Sequence, residues 1–91
     1  MAEPKIITKK LTEAEIEEKG IRNWPIWTKE LSTFDWYYES QEECLILEGH
    51  FWVDTEEMVY QFFKGEYIIF PKGLKCKWTI VEPVKKHYKF S

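Results

Sequence analysis

Apolar and polar residues alternate with a period of two near the C-terminal end of the chain. The apolar members of this set are Leu74, Cys76, Trp78 and Ile80. Successive side chains of a strand point to opposite faces, so the pattern predicts a strand with these four residues inward. The preceding Pro71-Lys-Gly73 predicts a tight turn from another strand.

From residue 20 onward the chain divides into short apolar segments separated by polar turns. Besides the alternating strand, we expect strands at residues 24–31, 34–38, 43–47, 51–54, 58–63, 67–70 and 85–90. Pro25 restricts the first to an edge or a strand start. Segment 43–47 is continuously apolar and predicts a strand covered on both faces, followed by a turn at Glu48-Gly49-His50.

Two further features complete the predicted fold. Thr12 and Glu15 fit a capping box, which predicts a short helix over residues 12–19 that stops at Gly20. Pro83 is expected to interrupt the chain before a last strand with Tyr88 and Phe90 inward. The sequence therefore predicts an all-β barrel or sandwich, with residues 1–21 as an N-terminal lead and residues 22–91 as a single β-barrel domain.

Composition agrees with a small globular domain. The 91 residues are 44% hydrophobic and 32% charged, and aromatic residues make up 18%, enough for a compact core. No apolar run is long enough to span a bilayer, and the N-terminal Met1-Ala-Glu-Pro-Lys lacks the apolar region of a signal peptide. We therefore expect a cytoplasmic protein with no membrane partner. In that compartment Cys44 and Cys76 are expected to be thiols rather than a disulfide.

Charge patterning limits the partners. The net charge is −3, and the main basic group is a set of C-terminal lysines: Lys85, Lys86 and Lys89. We expect these lysines to lie on a solvated surface. An acidic domain with so small a basic group is not expected to bind nucleic acid.

Two spacings in the chain resemble the signatures of the cupin superfamily. The second cupin signature, G-x5-P-x-G-x2-H, is matched in spacing by Gly65, Pro71, Gly73 and Cys76. The tail of the first, H-x-H-x3-E-x6-G, is matched by Glu42 and Gly49, and its two histidine positions fall on Trp36 and Tyr38. This resemblance implies a cupin-type jelly-roll β-barrel with a short N-terminal helix.

Additional segments are similar to small single-domain cupins related to ureidoglycine aminohydrolase. They are Trp24-Pro-Ile-Trp27, Phe34-Asp-Trp-Tyr-Tyr38, Ile46-Leu-Glu-Gly49, Phe70-Pro-Lys-Gly73 and Glu82-Pro-Val-Lys-Lys-His-Tyr88. The resemblance covers about residues 22–90. It implies, as one hypothesis, a metal-dependent release of ammonia from an acyclic ureide.

In metal-binding cupins the positions equivalent to Trp36, Tyr38, Glu42 and Cys76 point into the barrel and hold a divalent ion. Only Glu42 and Cys76 are good ligand types, because an indole has no lone pair to offer. We therefore expect no metal and no cofactor. The alternative is Mn, Fe or Zn held by Glu42, Cys76 and Tyr38.

The same inward positions predict a ligand pocket formed by Trp36, Tyr38, Glu42, Cys76 and Trp78. Burial favours the protonated form of an unpaired carboxyl, which makes Glu42 a candidate general acid or base. Cys76 is either a candidate nucleophile or an inert buried thiol. His50 and His87 are expected to have surface or structural positions.

Three classes of function stay open at this point. The first is a cupin that binds a small molecule without a metal ion. The second is a metal-dependent enzyme similar to ureidoglycine aminohydrolase. The third is a structural module that forms a homodimer through edge strands, with the segment 24–27 under its partner. Whether the protein is an enzyme is left undecided.

Overall fold

The computed structural model describes residues 5–91, which form an antiparallel β-structure with one short helix. The strands are β1 (Ile7–Lys9), β2 (Ile26–Lys29), β3 (Ser32–Tyr37), β4 (Glu42–Asp54), β5 (Val59–Phe63), β6 (Tyr67–Phe70) and β7 (Lys75–Phe90). The helix α1 spans Glu13–Lys19, and a single 3-10 turn spans Ile21–Asn23. The expectation of an all-β fold with a short N-terminal helix is confirmed.

Two long strands, β4 and β7, pair along nearly their whole length and connect two wings of the sheet. In one wing the first half of β4 pairs with β6, β6 pairs with β1, and the last part of β7 pairs with β2. In the other wing the second half of β4 pairs with β5, and the first part of β7 pairs with β3. The wings enclose the main core between them.

The predicted turn at residues 48–50 is wrong, because β4 continues through it. The β4–β7 register shifts three times between Ile46 and Phe51, and Gly49 has a φ of 105°. These bulges change which side chains face the core, from Cys44 and Ile46 before them to Phe51 and Val53 after them. Pro83 lies opposite the bulges. The predicted interruption of the chain at Pro83 is wrong, because β7 continues through it.

The predicted short N-terminal helix that ends at Gly20 is confirmed. Thr12 accepts a hydrogen bond from the Glu15 backbone N–H, the Glu15 side chain accepts one from the Thr12 N–H, and Gly20 closes the helix in the left-handed conformation. The short strand β1 was not predicted. Its three residues are exposed and carry no alternation that a sequence pattern would detect.

The side chains expected to point inward along β7 and just before it are mostly buried. Leu74, Cys76, Trp78 and Ile80 are all in the main core, as predicted. Of the two later residues, Tyr88 is partly buried and Phe90 is 49% exposed. A second apolar cluster lies on the opposite face of the first wing, under the helix, and contains Ile16, Ile21, Leu45 and Tyr67. Segment 43–47 is therefore covered on both faces, as predicted.

Trp78 is the centre of the main core. Its ring stacks on Phe51 at a centroid distance of 4.3 Å and on Phe34 at 5.8 Å, and it meets the edge of Trp27 at 5.9 Å. Phe70 packs against it from the first wing at 5.7 Å. A single indole thus contacts strands of both wings.

The bend at Gly49 gives a stability prediction. A Cβ at Gly49 would overlap the Pro83 carbonyl oxygen and lie 2.8 Å from the Val84 Cα, in addition to the strain of its φ. We expect Gly49→Ala to lower the free energy of unfolding by about 2–4 kcal/mol, measured by urea denaturation.

Gly65→Ala is the matched control. Gly65 has a φ of 91° but no atom within 4 Å of an added Cβ, so its substitution should cost only about 1 kcal/mol. Equal losses in the two variants would show that the contact with Pro83 does not matter.

Candidate functional site

A cavity of about 200 Å³ opens between the two wings, at the end of the barrel where β7 finishes. Its walls are mainly aromatic rings. The lining residues are Trp27, Phe34, Trp36, Tyr38, Glu42, Trp78, Lys86, Tyr88 and Phe90. Trp36 and Phe90 are about half exposed and so lie at its opening.

A buried ion pair forms the charged part of this cavity. The Lys86 Nζ donates to the Glu42 Oε2 at 2.8 Å, and each side chain is only 5% exposed. The pair corrects two expectations, since Lys86 is not on the solvated surface and Glu42 is not unpaired. A buried charge of either sign is costly without a partner, so the two groups depend on each other.

Two indole rings complete the surroundings of the Lys86 ammonium group. Its Nζ lies 4.7 Å from the centre of the Trp27 ring and 4.9 Å from that of Trp78. Both distances are within the range of cation–π attraction. The ammonium group is thus held by one carboxylate and two aromatic faces.

Strand register explains how these groups meet. Lys86 lies directly across from Ile46 on β4 and from Trp27 on β2, so it shares the inward face with them. Glu42 begins β4 on the same face. The alternation that placed Tyr88 and Phe90 inward also placed Lys86 inward, and this was the signal that sequence reasoning passed over because of its charge.

The structure brings together four of the five predicted pocket residues. Trp36, Tyr38, Glu42 and Trp78 line the cavity, and Tyr38 stacks on Phe70 at 4.9 Å. Cys76 is buried beside them but is not a lining residue. Its Sγ lies 3.7 Å from the Trp36 carbonyl oxygen, on the neighbouring strand β3.

Two polar groups of the cavity wall stand out. The Trp78 indole N–H has no hydrogen-bond partner within residues 5–91, although the side chain is buried. Burial, and next the charge of Glu42, raise the pKa of the Tyr38 hydroxyl well above its usual value, while the Trp78 indole lowers it.

The two cysteines are buried thiols. Burial raises the pKa of Cys44 to about 12, with a smaller contribution from Glu42 and an opposing one from Lys86. The thiolate is the reactive form of cysteine, so Cys44 is inert at neutral pH.

The residues at the positions that hold the ion in metal-binding cupins do not fit a metal ion here. No group of three or more His, Cys, Asp or Glu side chains suitable for a metal occurs within residues 5–91. The Glu42 carboxylate is bound by the Lys86 ammonium group, and the Trp36 indole has no lone pair available to coordinate a metal ion. Here the positive charge beside Glu42 comes from a lysine of the chain itself.

Both histidines lie away from the cavity. His50 stacks on Phe63 at 4.4 Å on β5, and the His87 Nδ1 lies 3.0 Å from the Trp24 carbonyl oxygen. Neither ring lines the cavity.

Comparison with known proteins agrees with this architecture. A family model described as the EutQ-like cupin domain matches residues 16–88. The chain belongs to this family. A solved DUF861-family protein from Thermotoga maritima is 45% identical to this cupin, with a TM-score of 0.92 over 96% of this chain and 100% of the other. The expected cupin β-barrel is thereby confirmed.

More distant structures share the fold alone. The EutQ protein of Clostridium difficile is 22% identical, with a TM-score of 0.66 over 93% of this chain and 66% of its own. A putative ethanolamine utilization protein from Salmonella typhimurium is 19% identical, with a TM-score of 0.65 over 93% and 68%. A search of curated proteins found no match. Within residues 5–91, no helix has the length and apolar character needed to cross a membrane.

The Lys86–Glu42 pair gives the first prediction from the site. Lys86→Met leaves the Glu42 carboxylate buried without its partner, so the free energy of unfolding should fall by about 3–5 kcal/mol. Urea denaturation measures this change. Adding Glu42→Leu removes the unpaired charge as well and should restore most of the loss.

Lys85→Met is the control. Lys85 is 44% exposed and lies 3.9 Å from Glu48, so the change should cost about 0–1 kcal/mol. The double variant Lys86→Met/Glu42→Leu should lose less stability than the two single variants added together. A loss equal to that sum would show that the two charges do not depend on each other.

The raised pKa of Cys44 gives a prediction for alkaline pH. The unfolded thiol loses its proton near its ordinary pKa of 9.0, whereas the folded thiol keeps it up to about 12. The unfolded state then binds fewer protons, so this contribution to stability is complete below pH 9 and is lost as the pH rises toward 12.

Between pH 9 and 10 the wild-type free energy of unfolding should therefore fall more steeply than that of Cys44→Ala. The expected difference in slope approaches about 1.4 kcal/mol per pH unit. Urea midpoints at intervals over this range measure it, with pH 7–8 as the internal reference. Parallel curves for the two proteins would contradict the assignment.

Proposed function

We propose that this cupin binds a small planar organic molecule in the aromatic-lined cavity, without a metal ion. The observation that supports the proposal most is a cavity of about 200 Å³ with ring faces as walls and a buried ion pair inside. An apolar cavity of about 150 Å³ is sufficient to bind benzene. Aromatic walls with a few fixed polar groups are typical of small-molecule sites.

An activity like that of the ureidoglycine aminohydrolases is less well supported. That chemistry requires a metal ion to polarise the substrate, and the donor set around Trp36 and Glu42 does not fit one. Glu42 as a general base is also disfavoured, because the Lys86 ammonium group competes for its carboxylate at 2.8 Å.

Homodimer formation stays a prediction. The strand β2 is at the end of the strand order, and its Ile26 side chain is 51% exposed. An exposed edge of this kind supports pairing with a second copy, but binding in the cavity does not depend on it.

Titration with three planar probes of similar shape tests the binding proposal. The probes are benzamide, benzoate and benzamidine, followed in ¹H–¹⁵N NMR spectra by the five indole N–H signals. We expect at least one probe to shift the signals of Trp27, Trp36 and Trp78, which line the cavity. The signals of Trp24 and Trp52, which lie outside it, should stay in place.

A pair of exposed tryptophans provides matched variants. Trp36→Ala removes a ring at the cavity opening and should weaken binding about tenfold, as loss of a stacked aromatic contact does. Trp52→Ala removes a ring of similar exposure from the outer face and should leave the affinity unchanged. If none of the three probes shifts the cavity signals at millimolar concentration, the proposed function is wrong.

A further inference from the structure

The charges already buried in the cavity determine which ligands it accepts. We infer that the ligand is an electrically neutral planar molecule. The inference rests on the proposed function and specifies the chemical class of the molecule bound there.

Electrical neutrality follows from the ion pair. Lys86 and Glu42 are in contact at 2.8 Å, and each is 5% exposed, so the described lining residues bring one positive and one negative charge into the cavity, with a sum of zero. A ligand that brings a further charge would lose its hydration without gaining an unpaired counter-charge. Burial of such a charge is strongly unfavourable.

A cationic ligand meets a specific obstacle. Aromatic walls ordinarily attract cations, but the faces of Trp27 and Trp78 are already occupied by the Lys86 ammonium group at 4.7 and 4.9 Å. A second cation in the cavity would approach the first. These two rings are therefore not free to attract a cationic ligand.

An anionic ligand meets the opposite obstacle. The Glu42 carboxylate lines the cavity, and its charge is strong enough at Tyr38 to help to raise the pKa of that hydroxyl. A second anion would be repelled in the same way. Lys86 does not compensate, since its charge is balanced by Glu42.

The three probes named above differ in charge but hardly in shape, so their order of affinity tests the inference. At pH 7.5 benzoate is an anion, benzamidine is a cation and benzamide is neutral. We expect benzamide to bind the wild-type protein at least about tenfold more tightly than either charged probe.

Removal of one charge at a time should change this order. In Glu42→Gln the unpaired ammonium group of Lys86 should make benzoate the tightest of the three probes. In Lys86→Met the unpaired carboxylate of Glu42 should favour benzamidine instead. Circular dichroism spectra establish that each variant is folded, and the wild-type order stands as a test without either of them.

The outcomes separate the inference from the function on which it rests. Binding of benzoate or benzamidine to the wild-type cavity as tightly as benzamide overturns the inference but leaves small-molecule binding in place. Absence of binding by all three probes overturns the proposed function itself.

Discussion

The buried ion pair between Lys86 and Glu42 is the interaction on which the interior of this barrel depends. Both groups are removed from water, so each charge requires the other, and we expect the loss of either partner alone to destabilise the fold. Trp27 and Trp78 add two aromatic faces that attract the ammonium group without competing for the carboxylate. The ion pair therefore places two opposite charges in the interior, and their sum is zero.

The position of this pair depends in turn on the bend shared by β4 and β7. At Gly49 the bulges shift the inward set of β4, so that Phe51 and Val53 face the same interior as the residues before the bend. Without that shift, one half of β4 would point its apolar side chains to solvent. Because both wings meet at Trp78, the bend, the core and the cavity wall are parts of one arrangement.

Local patterns in the sequence determined most of the fold. The period of two around Trp78, the capping box at Thr12 and the turn at Pro71 each depend on neighbouring residues, and each was predicted correctly. The cupin spacing around Gly65 and Gly49 likewise indicated the family. These residues are constrained by backbone geometry, which remains the same when the chemistry of the interior changes. Because the glycine and proline spacing fixes the alignment to the cupin signatures, the replacement of histidine by Trp36 and Cys76 was also visible in the sequence.

Tertiary structure alone decided the chemistry of the interior. Glu42 and Lys86 are far apart in the chain, and their contact exists only because β4 and β7 pair antiparallel. A lysine in a polar segment is usually solvated, so its charge outweighed the alternation with Tyr88 and Phe90 that places it inward. A glycine with positive φ suits a bulge as well as a turn, so the sequence determined that the chain changes direction at Gly49. Only pairing with β7 decided that the strand continues through it.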